Sequence, residues 1–190
     1  FQAFFIANIF GWRYKTDSKK YRYREVILFI ARKNTKTFLA ALIFIILMLT
    51  ESDYSEFYSI CLDRDLAGEV KKAIAQILNV SPNVGQYFNI PKTLSGRLEC
   101  TLTHSFYQPR TAEANRNNSI KPSAFIADEF GAMKDNSNVG AMKTGQLSVK
   151  NPLMFKLTTA YAEDKSIMLD ELEYLKKVYK GLEIDERLFA

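Results

Sequence analysis

The chain has 190 residues, 47% hydrophobic and 25% charged, with a formal net charge of +5. That length supports one sizeable α/β core, and the composition excludes a disordered chain. The positive balance permits contact with nucleic acid without requiring it. Two cysteines, Cys61 and Cys100, and a single histidine, His104, lack metal-ligand spacing and read as a buried pair of thiols in a reducing compartment and a lone imidazole.

Apolar residues are already frequent at Phe1, which is not a methionine, so the chain reads as a piece of a longer one. RYKTDSKKYRYR, residues 13–24, concentrates positive charge; a solvated stretch is the simple reading, a DNA- or nucleotide-facing role the other. The apolar run Val26 to Ala31 predicts the first strand, and Arg32-Lys33-Asn34-Thr35-Lys36-Thr37 a polar turn. A helix is expected over Thr37 to Thr50. Its densest apolar stretch, residues 38–49, is too short for the ~20 residues of a membrane span and is not N-terminal like a signal peptide, so it reads as a core helix.

EFYSICL predicts a second strand and DLAGEVKKAIAQIL a helix with Leu66, Val70, Ile74, Ile77 and Leu78 along one face. Ser81-Pro82-Asn83 breaks it. Short β pieces (YFNI, RLECTL, SFYQ) follow, and AEANRNNSIKP reads as a loop. Ser123 to Ala127 is another strand, ending in Asp128-Glu129; a short helix is expected near Ala141 to Leu147. Pro152 to Thr159 predicts a further major strand and SIMLDELEYLKKVYKGL an amphipathic helix, its acids Asp170, Glu171 and Glu173 read as a solvated face. Strands alternating with helices, without repeat or linker, argue for one domain over residues 1–190 with a mostly parallel sheet covered on both faces.

Three strand ends carry chemistry. Lys36-Thr37 stands where a phosphate-binding loop of the pattern G-x-x-x-x-G-K-[ST] has its Lys and hydroxyl, with Ile30 and Thr35 replacing the two glycines. Such a loop converges backbone N–H groups on phosphate at a helix N-terminus, its lysine adds a point charge, and its hydroxyl ligates Mg²⁺. SAFIADEF ends a hydrophobic strand in two carboxylates; successive residues there point in different directions, so Asp128 is expected to face the metal and Glu129 the attacking water. Thr158-Thr159 ends the next strand. Ligands of open α/β sheets bind at the carboxyl ends of strands, where these three pairs fall in order.

With FQAFFIANIFGW (Phe1 to Trp12), ARKNTKT (Ala31 to Thr37), FIADEFGAM (Phe125 to Met133) and LTTAYAED (Leu157 to Asp164), the chain resembles the ATPase domain of the large terminase subunit of tailed bacteriophages over essentially its whole length. The resemblance implies a P-loop NTPase fold, a three-layer αβα sandwich, and ATP and Mg²⁺ as cofactors. It implies that Gln2 reads the adenine and that Arg32 senses the γ-phosphate. In the same way Lys33, Asn34, Thr35, Lys36 and Thr37 would cradle the phosphates, Thr37 and Asp128 hold Mg²⁺, and Glu129 activate water. Thr158 and Thr159 fall in the motif coupling hydrolysis to DNA movement. Arg116, with Arg110 behind it, is the candidate arginine finger for a neighbouring subunit; a solvated loop arginine is the alternative for each.

The implied partners are double-stranded DNA, the portal protein, the small terminase subunit and further copies in a ring on the procapsid, with a monomer in isolation and no membrane. The implied setting is the cytoplasm of the bacterial host. An RNase H-like nuclease half has no room in this length, so no DNA cleavage is expected from it. Two positions depart from the family pattern: Thr35 and Tyr161 stand where relatives carry glycine. If position 35 requires φ > 0, a β-branched residue costs about 1–3 kcal/mol there. A degenerate nucleotide-binding or structural module of a prophage packaging complex is therefore the competing reading. A helicase is disfavoured by the N-terminal motif.

Overall fold

The structure is a computed structural model that describes residues 1–93, 96–111, 119–160 and 166–190. Helix α1 (Gln2–Gly11) leads into an antiparallel hairpin, β1 (Arg13–Tyr14) and β2 (Asp17–Tyr21). Strand β3 (Glu25–Phe29), helix α2 (Lys36–Thr50), strand β4 (Glu56–Cys61), helix α3 (Arg64–Asn79) and the short α4 (Pro82–Gly85) follow. Then come β5 (Phe88–Asn89), β6 (Leu98–Cys100), β7 (Phe106–Thr111), β8 (Ala124–Asp128) and a 3₁₀ turn (Phe130–Ala132). Helix α5 (Ser137–Gly145), a second 3₁₀ turn (Gln146–Ser148), β9 (Leu153–Thr158), α6 (Ile167–Tyr179) and β10 (Leu188–Phe189) complete the described elements.

One eight-stranded sheet runs in the order β10-β3-β9-β8-β4-β7-β6-β5. Neighbours from β10 to β7 are parallel; β6 and β5 extend the sheet antiparallel. Strand β9 therefore lies between β3 and β8, and the end carrying Thr158-Thr159 sits between the ends carrying Lys36 and Asp128.

Both faces are covered, as the mostly parallel pattern requires. Helices α1, α2 and α3 pack on one face through Phe5, Ile9, Leu39, Phe44, Val70 and Ile74, against Val26, Leu28, Phe57, Ile126 and Phe155 of the sheet. On the other face, α5 and α6 contribute Val139, Met142, Met168 and Leu175 against Ile27, Tyr58, Phe125 and Met154. Helix α2 is apolar on almost every side, and such a helix has to be enclosed. Leu39, Ala40, Ala41, Ile43, Phe44, Ile45, Leu47 and Met48 are all buried. Each large side chain among them contributes on the order of 1.5–3 kcal/mol relative to exposure. No helix of the described residues is long and apolar enough to cross a membrane.

Several expectations need correction. The basic stretch before β3 is a hairpin, not a plain solvated run: the Arg13 guanidinium stacks 3.7 Å from the Tyr21 ring centroid. The segment Phe1 to Trp12 is helical over most of its length, and the helix expected near Ala141 starts at Ser137. The break expected at Ser81-Pro82-Asn83 holds, α3 ending at Asn79, and Pro82 then opens a short helical turn of its own. Glu171 leaves the solvated face of α6 to pair with the buried Lys156. The loop expected at 112–122 lies mostly outside the described residues.

Candidate functional site

The turn between β3 and α2 is built on left-handed backbone. Lys33 has φ 65° and Thr35 has φ 57°, ψ 26°. Position 35 thus has the conformation that glycine adopts at little cost, and the β-branched threonine carries the strain expected of it. Its hydroxyl is engaged: it donates to the Asn34 carbonyl at 2.7 Å and accepts from the Gln2 amide. The Asn34 side chain closes the turn by donating to the Ala31 carbonyl at 3.1 Å. Thr35 makes no side-chain capping bond to α2, so the first N–H groups of that helix keep their usual need for an acceptor.

The period of two along β8 places its acid. Ala124 and Ile126 belong to the α2 side of the core, while Phe125 and Ala127 belong to the other. Asp128 continues the first set, so its carboxylate arrives beside the N-terminus of α2. Lys36 Nζ lies 3.1 Å from Asp128 Oδ1 and 2.6 Å from Glu129 Oε1. The chain leaves the strand at Glu129 with φ 52° and ψ 40°, a left-handed turn that brings the second carboxylate back to the same lysine. The carboxylates converge here, where alternation along an uninterrupted strand separates them. Burial raises the Asp128 pKa above the ordinary carboxylate value, and the Lys36 ammonium opposes that shift. The neighbouring Cys61 thiol is pushed up to about 12 by burial and then by Asp128.

At the end of β9 the two threonines turn to different tasks. Thr158 is fully buried; its Oγ1 accepts from the Gly131 N–H at 3.0 Å and donates to the Thr159 carbonyl at 3.1 Å. Thr159, 3% exposed, has a buried hydroxyl with no hydrogen-bond partner among the described residues. Thr159 also lines a cavity of about 560 Å³ together with Arg32, Lys33, Thr35, Lys36, Thr37 and Glu129. Ser166 ties the far side: its hydroxyl donates to the Gly131 carbonyl at 2.6 Å and caps α6 by accepting from Met168 N–H.

The donor set fits a polyphosphate with a divalent cation. An uncapped helix N-terminus, three cations and the Thr159 hydroxyl suit anionic oxygen; the Thr37 hydroxyl and two carboxylates suit Mg²⁺. Of the residues singled out from sequence, Arg32, Lys33, Thr35, Lys36, Thr37, Glu129 and Thr159 line this cavity. Gln2 and Asp128 bond directly to lining residues, and Asn34 and Thr158 brace the loop and the strand end. Arg116 lies outside the described residues. Arg110 sits 5.1 Å from the Tyr58 ring centroid, on the α5–α6 side of the sheet.

Sequence reasoning missed Ser166 and Lys156. Ser166 had a legible signal, a serine directly before an apolar-periodic helix with Asp170 in its first turn. Lys156 had none: a lysine within a run of apolar residues reads as an exposed alternate position. It is 5% exposed and pairs with Glu25 Oε1 at 2.6 Å as well as with Glu171.

Residues 1–177 match the family model described as the terminase large subunit ATPase domain. Among solved structures, the HK97 bacteriophage large terminase matches with a TM-score of 0.81 and 22% identity, over 100% of this chain and 38% of that one. The large terminase of a thermophilic bacteriophage, solved in complex with ADP, matches with a TM-score of 0.62 and 13% identity, over 97% of this chain and 43% of that one. The bacteriophage Phi-29 viral genome packaging motor assembly matches with a TM-score of 0.52 and 11% identity, over 87% and 49%. At these identities the structures speak for the fold alone, and this chain spans well under two thirds of their length. No curated protein matches it.

Proposed function

This chain belongs to the terminase large subunit ATPase-domain family, and on that footing we propose that it hydrolyses ATP with Mg²⁺ to drive double-stranded DNA into a bacteriophage procapsid. The observation that carries the reading is Lys36 at the head of α2, held by Asp128 and Glu129 at the rim of a cavity that Thr37 and Thr159 also line. In this reading residues 1–190 form one ATPase domain. It works in a ring with the portal protein and the small terminase subunit, in the host cytoplasm, and is a monomer when isolated.

The chain's own groups have distinct tasks. Lys36 exchanges its carboxylate partners for phosphate oxygens, with the N–H groups at the start of α2 converging beside it. Thr37 and Asp128 hold Mg²⁺, which when bound neutralises phosphate charge and orients the transferring group. Glu129, released from Lys36, orients water and accepts its proton on a carboxylate oxygen. Arg32 reads the terminal phosphate from the loop. Gln2, already bonded to Thr35, reads the base. Thr159 offers the orphan hydroxyl to the phosphate region, and Thr158 passes its position through Gly131 to the turn that follows Glu129.

Calorimetric titration of ATPγS with Mg²⁺ into the native chain and Lys36→Ala tests this. Binding by the native chain that disappears in Lys36→Ala is the expected result; equal binding by both would place the nucleotide elsewhere. One observation favours the second reading, a degenerate module: the strained Thr35 at a glycine-type backbone position. Silence from the native chain with binding by Thr35→Gly would decide for it.

A further inference from the structure

The charge of this protein is concentrated in one place. Residues 13–24 hold six Lys and Arg against one Asp, a net of +5, and the remaining 178 residues balance at 20 of each sign. The whole net charge of the chain therefore resides in the β1–β2 hairpin and the three residues leading to β3.

Some lysines elsewhere are neutralised by carboxylates, and the hairpin cations are not. Lys36, Lys72, Lys143 and Lys156 each pair with a carboxylate. Among the described residues Lys15, Lys19, Lys20 and Arg22 enter no ion pair. Lys15 and Lys19 are exposed, Lys20 and Arg22 half-buried. The latter two rest against rings: Lys20 lies 5.6 Å from the Tyr14 centroid and Arg22 5.9 Å from that of Tyr23. The one acid, Asp17, is occupied by accepting from the Lys19 backbone N–H at 3.0 Å. The neighbouring Glu51 accepts from the Tyr21 hydroxyl at 2.5 Å.

The scaffold beneath these side chains is fixed. Arg13 donates to the Phe10 carbonyl at 3.1 Å and to the Lys19 carbonyl at 3.2 Å, and the Tyr21 N–H donates to Asn151 at 3.1 Å. Three elements run from this hairpin to the candidate nucleotide site. Helix α1 begins at Gln2 beside Thr35 and ends against the hairpin, about 15 Å away. Helix α2 begins at Lys36 and ends at Thr50, beside the Glu51 that holds Tyr21. Strand β9 begins next to Asn151 and ends at Thr158.

We propose that the β1–β2 hairpin is a duplex-DNA contact surface, with Lys15, Lys19, Lys20 and Arg22 on the phosphate backbone. Unpaired cations on a rigid ribbon suit a regular polyanion, whose condensed counterions are released on contact. Phosphates carry no sequence information, so the proposed contact is independent of sequence. The assignment of DNA, over another polyanion, rests on the packaging-motor reading.

The test is fluorescence anisotropy of a labelled 30-base-pair duplex with the whole chain, titrated across salt. The comparison sets K15A/K19A/K20A/R22A beside K92A/K176A/K177A/K180A, which removes equal charge from exposed positions elsewhere. Circular dichroism checks that each is folded. The hairpin variant is expected to lose at least tenfold in affinity at low salt and to flatten the log–log salt slope by about 2–4, at roughly 0.9 per phosphate contact. The other variant should keep the slope, and K15R/K19R/K20R should keep the affinity. Equal behaviour of the two alanine variants would overturn the proposal. So would no duplex binding by the parent chain, or capture by phosphatidylglycerol vesicles in place of DNA. Titration of ATPγS into the same variants separates the two readings: loss of DNA with nucleotide retained concerns the hairpin, and absence of nucleotide binding throughout concerns the ATPase.

Discussion

Two largely enclosed lysines, Lys36 and Lys156, are each held by two carboxylates, yet their settings differ. Lys36 meets Asp128 and Glu129, and Lys156 meets Glu25 and Glu171. Lys156 points from the middle of β9 into the face covered by α6, 5.0 Å from the Phe130 ring centroid. Lys36 opens on a cavity, and it is framed by three of the five non-glycine residues with positive φ among the described residues, Lys33, Thr35 and Glu129. The same charge triad is a clasp where backbone is regular and a releasable contact where it is strained. Strained backbone persists at sites where the surrounding structure holds it, and such sites are often functional.

Glu129→Gln should give the largest effect and break the comparison from the open side. If Glu129 is the base, turnover falls by about 10²–10⁴ while ATPγS affinity is kept or improves, because Lys36 loses one competing carboxylate. Steady-state hydrolysis beside calorimetry on the same preparation reads both. Turnover within a factor of about three of the parent would remove Glu129 from that role.

Lys156→Ala attacks the closed side. It leaves Glu171 without its ammonium and Glu25 with Lys143 alone, and both acids are partly exposed, so the loss is set below the 3–5 kcal/mol of a fully buried pair, at about 1–3 kcal/mol in a urea melt. Nucleotide affinity should stay within about twofold, a difference of roughly 0.4 kcal/mol. A large drop in affinity with unchanged stability would show that the clasp reaches the site through Thr158, two residues on.

How much of this was legible follows from how local each signal is. The strand, polar turn and apolar helix around Lys36 are contiguous, so residues 26 to 50 announce the loop. Asp128 was legible because an unbroken apolar strand runs up to it and ends in two carboxylates. What stayed hidden depends on distant partners or on backbone that side-chain pattern does not encode. The hairpin strands are short and polar on both sides, β2 burying Tyr21 alone, so no alternation marks them. Glu171 looks like any acid on an amphipathic helix until β9 supplies a lysine. The convergence of Glu129 on Lys36 depends on a left-handed residue that is not glycine, a conformation uncommon enough to escape a sequence rule.

Thr35→Gly sharpens the comparison by relaxing the open site without touching its charges. Two effects oppose each other. Glycine removes the left-handed strain, of order 1–3 kcal/mol, but also removes the hydroxyl that accepts from Gln2. Glycine's larger unfolded-state freedom costs about 0.5–1 kcal/mol in addition. Stability should therefore move little, while ATPγS affinity rises about three- to tenfold as the loop admits phosphate and Gln2 is freed for the base. A fall in affinity would mean that the Gln2–Thr35 contact preorganises the site and outweighs the strain.

The smallest effect concerns Asp128, whose folded pKa is raised above its ordinary value by burial despite Lys36. The folded state then holds this proton more tightly than the unfolded chain. Stability from it is fully present below the unfolded pKa and is lost as pH rises through the folded one. Asp128→Asn cannot titrate, so the difference in unfolding free energy between parent and variant should shift toward the variant as pH is raised from about 3.5, near the ordinary carboxylate range, to neutrality. Many other acids titrate over the same range in both proteins and cancel in that difference. A difference that stays flat with pH would show that the Lys36 ammonium cancels the effect of burial on this carboxylate, and would make the open site as settled in its charges as the clasp around Lys156.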